Sequence, residues 1–231
     1  MLHNFVGSDG NEPTGVLAQG SDGNFYGTTR QGGAFSQGTV FKVTSKGAFK
    51  KIYDFCSVNG CPDGFDPVGG LILGTDGNFY GTTIGGGTGS DPHGTVFRIT
   101  SGGALTTLHN FNGTDGSEPF GWLVQHTDGL LYGTTTYGGT NDLGTVYSLD
   151  VGLKPFIRTL PGEAAVGETI KILGTNLTGA SAVSFNGIPT APTTVTGTYL
   201  TVKVPIGATT GSVTVTTPSG LLNSDVPFRV P

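Results

Sequence analysis

Charge is scarce in this chain. Asp, Glu, Lys and Arg make up only 12% of its 231 residues, about half the usual share for a globular protein, and 11 of them are basic. No Lys/Arg cluster is available to neutralise a phosphate backbone, which excludes DNA and RNA as partners. No run of about 18 apolar residues is available for a membrane span. Methionine and tryptophan occur once each and cysteine twice. Glycine, by contrast, is abundant at 42 residues without a Gly-X-Y period, so collagen is excluded and helix is disfavoured. Hydrophobic residues reach 35% and arrive in short alternating runs, which argues for β-strands and against a disordered chain. The scarce charge is unevenly divided. Residues 1–149 carry 6 basic and 12 acidic side chains, net −6, and residues 150–231 carry 5 and 4, net +1, as expected of two different domains, 1–150 and 151–231.

Self-comparison finds a repeat of about 53 residues. Asp22-Gly-Asn-Phe-Tyr-Gly-Thr-Thr29 returns as Asp76–Thr83 and, with Leu-Leu for Asn-Phe, as Asp128–Thr135. Gly38-Thr-Val-Phe-Lys-Val43 returns as Gly94–Ile99 and Gly144–Leu149, and Leu2-His-Asn-Phe5 as Ile52–Phe55 and Leu108–Phe111. Gly15-Val-Leu-Ala-Gln19 aligns with Gly69–Leu73 and Gly121–Gln125. Each unit thus has four β-branched or aromatic runs, a to d, separated by Gly, Asp, Asn and Ser turns. Four antiparallel strands per repeat describe a propeller blade. Within Thr39–Thr44, Val40 and Lys42 fall on one face and Phe41 and Val43 on the other, so each blade is expected to carry an apolar face for stacking.

Along the chain the order reads d, abc-d, abc-d, abc. Leu2, His3, Asn4 and Phe5 are an orphan d strand, and the third blade has no d of its own. Three blades are too few for a closed ring, so a homo-oligomer or filament is expected, with residues 2–5 of one chain completing blade three of another. A β-trefoil, which also uses three four-stranded repeats, is the monomeric rival.

This wording resembles the GloVer tandem repeat, a family of secreted or surface-anchored bacterial proteins with varied cell-surface anchors. Over residues 1–150 the resemblance implies an extracellular propeller-like array and implies no reaction. After Asp150 the chain changes character. Pro155-x-Ile157, Val166-Gly-Glu-Thr-Ile-x-Ile172, Gly174-Thr-Asn-Leu177 and Val183-x-Phe-Asn-Gly187 resemble the immunoglobulin-like IPT/TIG domain. That resemblance implies a small β-sandwich serving as a spacer or adhesive stalk.

Few residues invite chemistry. Cys56 and Cys61 enter together into one d-to-a connector of an otherwise cysteine-free chain, which predicts a local disulfide and with it a secreted or cell-surface home. A zinc site would need a second ligand pair, and a redox dithiol normally has two intervening residues rather than four. Met1 is followed at once by strand-like residues with no signal-peptide pattern, so the chain is expected to be a mature product, an engineered piece or a fragment. His3 and His109 share the repeat position held by Tyr53, an aromatic-sized strand site; His93 and His126 fall in loops. Asp9, Asp63, Asp66 and Asp115 lie in acidic connectors and are weak calcium candidates, their spacing falling short of an EF-hand loop. Phe25, Tyr26, Phe79, Tyr80, Tyr132, Tyr137 and Trp122 suit a blade core and equally a carbohydrate platform. Asn112-Gly-Thr114 and Asn176-Leu-Thr178 match the glycosylation sequon. The expectation is a non-catalytic extracellular structural or adhesive protein without cofactor or resident metal, self-assembling or scaffolding through its repeats. The alternative is a carbohydrate-binding or polysaccharide-cleaving propeller with extracellular glycans as partners.

Overall fold

The computed structural model describes residues 1–89 and 92–231 and is all-β. Two compact units divide it, one formed by Met1–Gln125 with Leu131–Val151 and the other by His126–Leu130 with Gly152–Pro231.

In the first unit, repeat one is an antiparallel meander of β1 (Ala18–Gln19), β2 (Phe25–Thr29), β3 (Thr39–Val43) and β4 (Phe49–Asp54). Repeat two copies it with β5 (Ile72–Leu73), β6 (Phe79–Thr83), β7 (Thr95–Ile99) and β8 (Leu105–Asn110). Repeat three has three strands, β9 (Val124–Gln125), β10 (Leu131–Thr134) and β11 (Val146–Leu149), so β11 is an edge. Registers agree between copies: Phe25 faces Val43, Phe79 faces Ile99 and Leu131 faces Leu149. Where β3 meets β4 the register slips between Val40 and Phe41, and β7 meets β8 with the same slip between Val96 and Phe97. Such a bulge re-aims the end of the outer strand, here towards the connector that follows.

Alternation gives each blade two apolar faces. Ala18, Tyr26 and Val40 of repeat one meet Leu71, Phe79 and Phe97 of repeat two in one buried cluster, with the Tyr26 and Phe79 rings stacked at 4.0 Å. The aromatic residue that ends each d run covers the c strand of the next blade in the same way each time. Phe55 lies 5.3 Å from Phe97, and Phe111 lies 5.0 Å from Tyr147. Around the inner ends the chains crowd: a Cβ added to Gly15 would lie 2.4 Å from Gly70 Cα, and one on Gly69 would lie 2.8 Å from Gly121 O. Glycine opens the inner runs because no side chain fits there.

Residues 2–5, expected as a strand, form none. A strand without a neighbour has nowhere to place its backbone hydrogen bonds. Side chains hold the segment instead: His3 stacks on Phe49 at 3.7 Å, and Phe5 packs edge-on against Phe41 at 5.3 Å, the same geometry as Phe55 on Phe97.

The second unit has two four-stranded antiparallel sheets. One orders β12 (Arg158–Leu160), β13 (Thr169–Leu173), β17 (Tyr199–Lys203) and β16 (Thr194–Val195); the other orders β15 (Ile188–Thr190), β14 (Ala182–Phe185), β18 (Val213–Thr217) and β19 (Gly220–Asn223). Ile170, Ile172, Leu200 and Val202 from the first sheet and Val183, Phe185, Val213 and Val215 from the second share one core. Every second residue is buried in β13, β14 and β17, the period of a strand with one wet face.

Burial fixes the expected cost of truncation. Phe97 is fully buried between two blades, and Phe97→Ala should lower unfolding free energy by about 3–5 kcal/mol. Val146 holds the position of Val40 and Val96 but is 80% exposed, and Val146→Ala should cost no more than about 0.5 kcal/mol. Denaturant titration of the two variants checks the contrast.

Candidate functional site

The polar residues most able to do chemistry gather in the connectors that leave each d run. In the first, His3 Nε2 and Asp9 Oδ2 lie 2.8 Å apart while Val6 N–H donates to Asp9 Oδ1 at 2.8 Å. In the third, His109 Nε2 and Asp115 Oδ2 lie 2.9 Å apart and Asn112 N–H donates to Asp115 Oδ1 at 3.0 Å. In the second, Tyr53 stands for the histidine and donates its hydroxyl to Asp63 at 2.8 Å, and Cys56 N–H donates to the same carboxylate at 3.0 Å. The glycine after each aspartate packs on a buried threonine. A Cβ on Gly10 or Gly116 would sit 2.5 Å from the Thr29 or Thr135 methyl, and one on Gly64 would strike Thr83. Those threonines in turn bond Thr39, Thr95 and Thr145 at 2.8, 2.8 and 2.9 Å. One device, aromatic-sized donor to aspartate and glycine to threonine pair, therefore closes every connector.

The four calcium candidates separate into two repeat positions. Asp9, Asp63 and Asp115 belong to the device just described. Asp66 corresponds instead to Glu12 and Glu118, each in the left-handed region (φ +54°, +56° and +52°) and each before a proline. Their carbonyls accept from Ile84, Arg30 and Thr136 N–H, and the Asp66 carboxylate lies 3.4 Å from Arg30 Nε. Among the described residues no three His, Cys, Asp or Glu side chains gather as a metal site.

A second recurrent arrangement explains Asp-Gly-Asn-Phe-Tyr. Asp22 accepts from Asn24 N–H, Asn24 Nδ2 and the Tyr26 hydroxyl at 3.1, 2.7 and 2.8 Å, and Asp76 accepts from Asn78 and Tyr80 at 3.1, 2.7 and 2.9 Å. The turn aspartate thus satisfies a phenol whose ring is buried between blades. Burial, followed by the Asp22 carboxylate, pushes the Tyr26 phenol up to about 12. Burial likewise raises Tyr53 and Tyr80, each beside its aspartate. The Tyr26 hydroxyl, first among its donors, holds Asp22 below the usual carboxylate range. For Asp76, burial opposes the Asn78 and Tyr80 bonds, which prevail.

Cys56 and Cys61 form a disulfide. It closes the connector that is four residues longer than the others: Tyr53 and Asp63 are ten apart, whereas His3 and Asp9, and His109 and Asp115, are six apart. The cross-link shortens the excess loop so that Asp63 still reaches Tyr53.

A model of the Gloeobacter/Verrucomicrobia repeat matches residues 1–177, three quarters of the chain. The chain belongs to this family of repeat proteins. An IPT/TIG domain follows at residues 155–230. The two matches overlap over 155–177, a stretch that includes β12 and β13 of the second unit. No curated protein matches the chain. Among solved structures, one described as a candidate gluconolactonase is 14% identical with a TM-score of 0.37, over 90% of this chain and 72% of that one.

Apart from the connectors, this Gloeobacter/Verrucomicrobia repeat protein has a cleft of about 510 Å³ in its first unit. Trp122, Phe120, Val124, Tyr132 and Val146 of repeat three form its apolar wall, and Thr14 and Gly15 of repeat one reach its rim. Trp122 is 58% exposed where the other copies carry Val16 and Gly70. The sequon residue Asn112 uses its side-chain oxygen to accept from Thr114 N–H at 3.0 Å. His93 Nδ1 lies 3.0 Å from Ser117 Oγ. The sequence reading missed the pairing of the connector groups, although its signal was present in the recurrence of His or Tyr ahead of Asp-Gly.

Two measurements follow. Intact mass should rise by about 2 Da on reduction, and replacing Cys56 and Cys61 by Ser should cost on the order of 2 kcal/mol, the loop-closure value for so short a ring; unchanged stability would show that the longer connector closes without its cross-link. A phenol whose folded pKa is raised contributes stability that is complete below pH 10 and disappears as pH rises through about 12. Denaturation between pH 9 and 12 should therefore show a loss of stability that Tyr26→Phe makes shallower.

Proposed function

We propose that the protein is a non-catalytic extracellular or cell-surface element, structural or adhesive, that scaffolds or assembles through its repeats. The observation that carries this reading is that the His or Tyr and the Asp of the three connectors recur at one repeat position and are engaged there in the same structural bonds. A catalytic site distinguishes one copy from the others, whereas a scaffold has reason to use every copy alike. The disulfide supports an oxidising, extracellular location. Small blades with apolar faces and most of their acidic residues at the turns suit a surface array whose partners are copies of itself.

A second reading, a carbohydrate-binding propeller, draws on one feature, the cleft with Trp122 on its wall. An exposed indole over an apolar floor is a surface on which a sugar ring stacks. Purified protein on a glycan array and a reducing-sugar assay with a panel of polysaccharides test both readings. The structural reading expects no released reducing ends and light scattering above that of a monomer. Sugar release would overturn it, and glycan binding abolished by Trp122→Ala would transfer the function to the cleft.

A further inference from the structure

The first unit leaves two apolar faces open, and they are the two halves of an interface the chain already builds within itself. Repeat one presents Ala18, Tyr26 and Val40 forward, and repeat two covers them with Leu71, Phe79 and Phe97. Repeat three presents the matching residues Val124, Tyr132 and Val146. Val124 is 54% and Val146 80% exposed, whereas Val40 and Val96 are fully buried. At the other end, repeat one carries Leu17, Phe25 and Phe41 where repeat two has Leu71, Phe79 and Phe97. Leu17 is 54% exposed, whereas Leu71 and Leu123 are buried. A Cβ on Gly27 would touch Leu17 and Phe41, and one on Gly81 would touch Leu71 and Phe97, so each leucine lies on the rear face of its blade.

We propose that the forward face of repeat three is a docking site for repeat one of a second copy of this chain, joined head to tail. This rests on the assembly reading above and names its interface. The occupant follows from the internal template: the residue types that cover Tyr26 and Val40 inside the chain are the ones Leu17 and Phe25 offer, over a Phe41 that is 5% exposed beneath Phe5 and Phe49 of its own chain. The same junction completes a sheet. Residues 2–5 of each copy lie against its own repeat one in the position that β4 holds against repeat two, with Phe5 on Phe41 as Phe55 is on Phe97. Docking sets that segment beside the open edge of β11. In repeat one, Val40 pairs with Tyr53 and Thr39 with Asp54. The equivalent register pairs Val146 of one copy with His3 of the second, and Thr145 with its Asn4, giving β11 the outer strand that β3 and β7 possess. A contact between unlike faces propagates into a ring if its rotation closes and into a filament otherwise.

The test uses the full chain with one charged substitution per face. Val146→Lys spoils the forward face and Leu17→Lys the rear face, each at a site exposed in the single chain, and thermal melts verify that both variants fold. Each should weaken association at least about tenfold in light scattering or sedimentation. Mixed, they should form a dimer, because the Leu17→Lys chain keeps a sound repeat three and the Val146→Lys chain a sound repeat one. Thr134→Arg, also on the forward face, should behave as Val146→Lys does. Continued self-association of Leu17→Lys would mean pairing between like edges, and a mixture that stays monomeric would mean that the two faces do not meet; either overturns the interface while leaving assembly itself standing. A wild-type chain that is monomeric at high concentration would overturn both the interface and the assembly reading.

Discussion

Everything in the first unit depends on one packing event, the burial of a forward-facing tyrosine and valine beneath the rear face of the next blade. A meander of four short strands has two apolar faces and cannot bury either by itself. Tyr26 against Phe79 resolves this for repeats one and two, and the Val96 position, fully buried, shows the same for repeats two and three. The requirement accounts for the rigid wording of the repeat. The tyrosine must be an aromatic to fill the space between sheets, its hydroxyl must then find an acceptor, and the Asp of the preceding turn provides it.

The connectors answer a second requirement, that successive blades keep a constant rotation. A flexible d-to-a link would let the faces slip, so each link is tied at both ends. The aspartate takes the donor from the d run and a backbone N–H of its own loop, and the glycine after it presses on a threonine pair that joins the b and c strands. When the second link lengthens by four residues, a disulfide restores the span. Polar residues that look like chemistry in the sequence thus bond one another within each connector. For Asp9, burial opposes the Val6 and His3 bonds, which prevail and hold its carboxyl below the usual range, and burial raises the Tyr53 phenol beside Asp63. Perturbed titration is only a probabilistic marker of catalysis, and the Tyr26–Asp22 perturbation recurs at Tyr80–Asp76.

Much of this was legible in the residues because the repeat aligns three copies and makes pattern visible without other sequences. The b and c runs and the second and third d runs lie close to the observed strands, and in the second unit the motifs at Val166–Ile172 and Val183–Gly187 fall on β13 and β14. The two-residue inner strands end the a runs, whereas the short edges β15, β16 and β19 carry too few residues to show a period. The acidic connectors are only weak calcium candidates in the sequence, because composition alone cannot tell an oxygen aimed at a cation from one aimed at a histidine or a phenol. Asp66 was grouped with Asp9 for the same reason, although its left-handed backbone before Pro67 places it with Glu12 and Glu118. Residues 2–5 match the d run in sequence yet form no strand within the chain, because strand state depends on a neighbour that sequence identity does not supply.

The same dependence on neighbours holds across the repeat array. Val40, Val96 and Val146 are the same residue in the same local context, Gly-Thr-Val, and differ in exposure from none to 80%. Local sequence specifies what each position would bury, and position along the array determines whether it does. In a quasi-one-dimensional stack the terminal units ordinarily replace apolar residues by polar ones where no neighbour follows. Repeat three keeps valine at 146 and at 124 and adds the indole of Trp122 beside them. Exposed apolar area of this kind costs free energy unless it is covered. Repeat three thus carries, at 80% exposure for Val146 and 54% for Val124, apolar residues at positions that repeat one buries.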